Sequence, residues 1–176
     1  MQLEMRLANI MKLKQKISTQ VSLLATQIII VGIIFFIFYA ANFDNKIFAY
    51  VIIPMLIVLV LPTAYIHYDY YSHGRNYSYE INDRGIIQFK KDKVVAFDRA
   101  NFKEIKLYMS GTRLIGSAVK NFPFEDYYYA KITTIEGEEI LISCLFSKKI
   151  DELLASLYSE VPVTKNKYFY PLIQNE

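Results

Sequence analysis

The chain has 176 residues, 53% of them apolar, and a formal net charge of +3. The apolar share is high for a water-soluble domain, while 21% charged residues exclude a chain made only of membrane spans. Beyond Ile66 basic and acidic residues nearly cancel, so this part carries no overall basic field for nucleic acid. One cysteine, Cys144, excludes an intramolecular disulfide.

The positive surplus lies in the first twenty residues, where Arg6, Lys12, Lys14 and Lys16 meet only Glu4. Leu3, Leu7, Ile10 and Ile17 recur at helical spacing, which predicts a basic amphipathic helix over 1–20. Two placements stay open. It lies on an anionic leaflet through Arg6, Lys12 and Lys16, or it extends the next helix and packs on the following domain.

Two apolar runs follow, 21–41 and 47–66, without an Asp, Glu, Lys or Arg in either. At ~1.5 Å per residue, about 20 residues cross the ~30 Å core of a bilayer. The five-residue connector 42–46 predicts an antiparallel transmembrane hairpin. The first run is too long for a signal-peptide core of about 7–15 residues. Lys and Arg crowd both outer flanks, so the expected orientation puts both termini in the cytoplasm. Tyr65, Tyr68, Tyr70 and Tyr71 at the second exit read as an interfacial aromatic belt. Pro54 and Pro62 predict kinks, and Gln27 predicts one interhelical hydrogen bond. The competing interpretation of these three residues is a hinge or transport path, which the lack of intramembrane charge disfavours.

Residues 67–75 read as a juxtamembrane linker and 76–160 as one domain, with a C-terminal tail over 161–176. Short β-like runs alternate with turn signals from Tyr77 to Phe146, and a weak strand is expected around 114–119. Ser147 is placed to cap a last helix whose apolar stripe is Ile150, Leu153, Leu154, Leu157 and Tyr158. The tail segment YFYPLI is apolar and is expected to pack on the domain or the membrane surface.

The Tyr79-Glu80-Ile81 strand, Gly85-Ile86-Ile87 after its turn, the Phe97 and Ile105 positions and the helix 147–160 carry a resemblance. The order resembles the pleckstrin-homology (PH)-like fold, and the whole chain looks like small bacterial two-span membrane proteins with a cytoplasmic PH-like domain. The resemblance implies a membrane α-hairpin plus an α+β domain. That domain would be an antiparallel sandwich or partly open barrel of about six or seven strands, capped by a C-terminal helix. One departure stands out. The turn Asn82-Asp83-Arg84-Gly85 holds a single basic residue, so specific phosphoinositide binding is not supported.

The search for chemistry yields contacts and no reaction. No phosphate-binding glycine loop appears. His67, Asp69 and His73 lack a standard metal spacing, and Cys144 sits in an apolar run that suits a structural thiol. Candidate lipid or partner contacts are Lys90, Lys91 and Lys93 in one turn and the Tyr127-Tyr128-Tyr129 run, at least one ring of which should be exposed unless covered. The expected function is a non-enzymatic, membrane-anchored binding or scaffold module without a cofactor. Its expected partners are the lipid bilayer and a protein or a second copy of the chain. The alternative is a subunit of a small oligomeric transporter or channel built on the Pro-kinked hairpin.

Overall fold

A computed structural model describes residues 10–42, 46, 48–91, 93–117 and 122–173. Strand β1 (Met11–Lys14) comes first, then two long helices, α1 (Ile17–Ala40) and α2 (Phe48–Gly74). The chain then forms β2 (Tyr77–Asn82), β3 (Gly85–Lys90), β4 (Lys93–Asp98) and β5 (Phe102–Met109). A short helix α3 (Gly111–Leu114) precedes β6 (Tyr128–Thr134) and β7 (Glu139–Ser143). Helix α4 (Ile150–Leu157) and strand β8 (Val163–Lys167) complete the described elements.

The strand β1 corrects the expected amphipathic helix over 1–20, of which residues 1–9, including Arg6, lie outside the described residues. Alternation wins over helical spacing here. Leu13 is buried opposite Tyr79, while Met11, Lys12 and Lys14 stay exposed. Pairing with β2 also gives the backbone of β1 its hydrogen-bond partners, and Lys12 Nζ lies 2.8 Å from Glu80 Oε1. Lys16 is the exposed residue just before α1.

Helix α2 is continuous, and its two prolines shape it. Each is preceded by a π-helical turn, Phe48–Ile52 before Pro54 and Leu56–Val60 before Pro62. A proline lacks the N–H of an i→i−4 bond and crowds that carbonyl, and a widened turn accommodates both. The expected linker 67–75 is instead almost wholly helix, since α2 runs on to Gly74. The aromatic rings of Phe38 and Phe48 meet at 5.3 Å near the helix–helix connection.

The strands form two four-stranded sheets, ordered β1-β2-β3-β4 and β7-β6-β5-β8. All pairings are antiparallel except β5 with β8. The tail thus supplies an eighth strand, so the expected six or seven strands are too few. The weak strand expected around 114–119 is absent from its described part, where α3 and a turn stand instead. Ser110 caps α3 by accepting from the Arg113 N–H at 3.2 Å.

One apolar core fills the space between the sheets and continues into the helices. Ile81, Ile86, Ile105, Ile132, Ile140 and Leu154 are buried together with Leu23 of α1 and with Ile66 and Tyr70 of α2. Away from the domain the helices are uncovered. Only 17% of the most apolar window of each is buried.

Candidate binding site at the helix end of the domain

Register fixes which residues share the end of the domain where α1 begins and α2 stops. Lys14 pairs with Ser78, Tyr77 with Lys90, and Lys90 with Lys93. In the second sheet Met109 pairs with Tyr128 and Lys167, and Tyr129 with Ser143. Lys14, Lys90, Lys91 and Lys93 therefore lie at this end of the first sheet, and Lys167 at the Tyr128 end of the second. Acids at this end include Asp69, Glu125, Asp126 and Asp151, each of which has a partner. Asp69 Oδ2 accepts from the Ile173 N–H at 2.9 Å, and both oxygens of Asp151 lie 3.1 Å from Arg113 Nη2. The opposite end carries Asp83, Asp98, Glu136, Glu138 and Glu160, with Arg84 and Arg99 among them. Arg99 pairs with Glu160. The domain thus presents more basic charge to the helices than away from them.

Lys90, Lys91 and Lys93 are exposed at the β3–β4 turn. Lys90 Nζ sits 4.9 Å from the centre of the Tyr77 ring, a cation–π distance. Lys91 adopts a left-handed φ of 48° that tightens the turn.

Tyr127, Tyr128 and Tyr129 are all buried, which corrects their assignment as contact residues. Both faces of their strand are covered. On one side the Tyr70 ring packs edge-on against Tyr127 and Tyr129 at 5.6 and 6.0 Å, and Tyr129 stacks on Tyr108 at 4.6 Å. On the other, the Tyr128 hydroxyl donates to Asp151 Oδ1 at 2.8 Å and accepts from the Ile150 N–H at 2.9 Å. Tyr128, rather than the expected Ser147, therefore caps α4. Arg113 lies over the Tyr128 ring at 3.7 Å, and burial pushes that phenol above its ordinary pKa. Cys144, fully buried beside this strand, is pushed up to about 12 by burial and stays an unreactive thiol.

A cavity of ≈ 200 Å³ opens where the last turn of α2 meets β2 and β7. Tyr70, His73, Tyr77, Tyr79, Ser143 and Phe146 are among its walls. The Tyr79 hydroxyl donates to the Leu141 carbonyl at 2.7 Å, so this wall is fixed. Ser143 is buried, and its Oγ has no hydrogen-bond partner among the described residues. A small polar molecule could satisfy that group, which otherwise carries an uncompensated desolvation cost. His73 Nδ1 lies 3.2 Å from Asp69 Oδ1, whereas His67 Nδ1 lies 2.8 Å from the Tyr127 hydroxyl. The two histidines thus face different partners, and no group of three or more metal-ligating side chains occurs among the described residues.

Sequence reasoning missed an aromatic cluster at the same end. Phe122, Phe124, Phe169 and Tyr170 meet at ring distances of 4.6 to 6.0 Å. The 3₁₀ turn Pro123–Asp126 carries Phe124 against both α1 and α2. The apolar character of YFYPLI was the available signal. Gln27 is buried on α1, yet neither amide atom has a partner among the described residues, where the expected interhelical hydrogen bond is not formed.

Two sheets of four strands, packed as a sandwich and closed by a C-terminal helix, define a PH-like fold. The sequence profile described as "PH domain" matches residues 11–151, and the chain belongs to that family. The match begins at β1 and runs through the hairpin, which therefore occupies the connection between the first two strands. Among solved structures, a chain of the "Spt16D Pob3N heterodimer" is similar at 10% identity and a TM-score of 0.36. The alignment covers 57% of this chain and about half, 51%, of that one. A search of curated proteins finds no match.

Proposed function

We propose that this protein is a non-enzymatic binding module of the PH domain family, anchored in a membrane by its helical hairpin. The observation that carries this proposal is the hairpin's insertion between β1 and β2. A core helix of a soluble protein buries its apolar faces, whereas these helices leave Ile29, Phe35, Phe36, Ile57 and Leu61 exposed. An apolar medium removes that cost, and a bilayer supplies one. The basic flanks favour a cytoplasmic domain. The basic helix end would then face the leaflet, with Lys90, Lys91 and Lys93 near anionic headgroups. Holding the domain there raises its effective concentration for a partner at the membrane, whether a protein or a second copy.

Topology is the first test. Cys144 is buried, so a membrane-impermeant thiol reagent reads the Asn45→Cys variant alone in sealed vesicles. Labelling from the outer side is expected. Labelling only from the cytoplasmic side overturns the orientation, and carbonate extraction of the protein from membranes overturns the anchor. Affinity capture of the full chain in detergent tests the binding role, which fails if neither a partner nor a second copy is recovered.

A further inference from the structure

Resting on the membrane-anchor proposal, we propose that the aromatic cluster at the helix end is a second membrane contact, inserted at the headgroup–acyl boundary beside the hairpin. Three observations place it there. The first is level. Tyr65, Tyr68 and Tyr71 are exposed around α2, and six residue steps span ~9 Å, comparable with one headgroup layer of about 5–7 Å. The cluster is tied to that same stretch of helix. The Tyr70 hydroxyl donates to the Pro171 carbonyl at 2.5 Å, and the Ile173 N–H donates to Asp69 at 2.9 Å. Phe169 and Tyr170 immediately precede this double attachment, so their height is set by α2.

The second observation is exposure. Phe169 is 62% and Tyr170 42% exposed, although both rings touch the buried Phe124. Ile115, which shares a surface hollow with Phe169, is 78% exposed. This apolar surface is continuous with the helices, because the turn bearing Phe124 contacts both. The third is charge. Lys167 lines the same hollow as Ile115 and Phe169, with the buried Glu125 on its wall, and Lys148 Nζ donates to Ser22 Oγ of α1 at 2.7 Å. Rings beside ammonium groups match the layered chemistry of a leaflet, with hydrocarbon below anionic headgroups. A protein partner would cover the same rings, but it would leave them out of reach of bromines on the acyl chains.

The chain contains no tryptophan, so a single introduced one is an unambiguous reporter. The full protein carrying Phe169→Trp is reconstituted in vesicles of zwitterionic and anionic phospholipid, with part of the lipid brominated along its acyl chains. Ile115→Trp is a second reporter, on a side chain so exposed that the fold does not depend on it. Phe36→Trp, on an exposed side chain in the last two turns of α1, reports the anchor itself. Ile135→Trp, in the turn at the far end, reports the aqueous side. Phe169→Trp and Ile115→Trp are expected to lose most of their emission to bromines placed high on the chains, and Ile135→Trp to lose none. If Phe36→Trp is quenched while both platform reporters emit like Ile135→Trp, the second contact is refuted and the anchor stands. If Phe36→Trp also escapes quenching, the anchor is refuted and the platform with it.

Discussion

Met11 and Ile81 face each other across β1 and β2, although both long helices lie between them in the chain. Adjacent antiparallel strands are ordinarily joined by a few residues. Here their connection is the apolar hairpin, so the sheet clamps the base of the helices at both ends. The domain is therefore seated directly on the two helices.

The clamp depends on one buried side chain. Leu13→Ala truncates the only buried side chain of β1 and is expected to cost about 2–3 kcal/mol in denaturant unfolding of the detergent-solubilised protein. Lys12→Ala breaks an exposed ion pair and is expected to cost less than about 1 kcal/mol. If the two variants lose stability equally, β1 does not form the buried strand described.

Tyr128→Phe tests the attachment of α4. It removes the hydroxyl shared by Asp151 and the Ile150 N–H, and leaves both groups without that bond in a largely buried place. A loss of about 1–3 kcal/mol is expected, with faster proteolysis within 147–160. Unchanged stability and proteolysis would show that the hydroxyl does not hold the helix.

Gly85→Ala tests the β2–β3 turn. Gly85 has φ 153°, and a Cβ there would lie 2.0 Å from the Phe97 carbonyl oxygen. The neighbouring Arg99 N–H donates to the Arg84 carbonyl at 2.8 Å, so the two strands cannot readily separate to make room. The variant is expected to lose more than about 1 kcal/mol in the same unfolding assay.

Stability should fall on the alkaline side. Burial raises the Tyr79, Tyr128 and Tyr158 phenols above their ordinary value of 10.0 and the Cys144 thiol above 9.0. The unfolded chain therefore gives up these protons first as pH rises. The stabilisation is complete below the unfolded values and is lost progressively above pH 9.0. Tyrosinate absorbance followed against pH should show a fraction of the tyrosines ionising only with unfolding. A single smooth titration near the ordinary value would contradict their burial.

Much of this architecture was legible in local pattern. The two apolar runs mark the helices, the Tyr79 and Ile81 alternation marks β2, and the Ile150-Leu154 spacing marks α4. What escaped depends on contacts distant in sequence. Leu13 reads as part of a helix until Tyr79 arrives beside it, and at least one ring of Tyr127–Tyr129 reads as exposed until α2, β5 and α4 cover all three. Ser147 has the right chemistry to cap α4, but the hydroxyl that reaches the helix comes from β6. The basic end was only half visible. Lys90, Lys91 and Lys93 form one turn in the sequence, whereas Lys14 joins that end of the sheet only through pairing register.

The placement of β1 also governs how the protein can be made. Its strand is synthesised before both helices, yet its partner emerges only after them, so the two ends of a long loop must be brought together. Side-by-side docking of α1 and α2 shortens that search by delivering Lys14 and Tyr77 to the same place. Closure of the sheet thus reports that the hairpin has docked. A fragment starting after α2 would leave β2 as a bare edge, open to pairing with another chain.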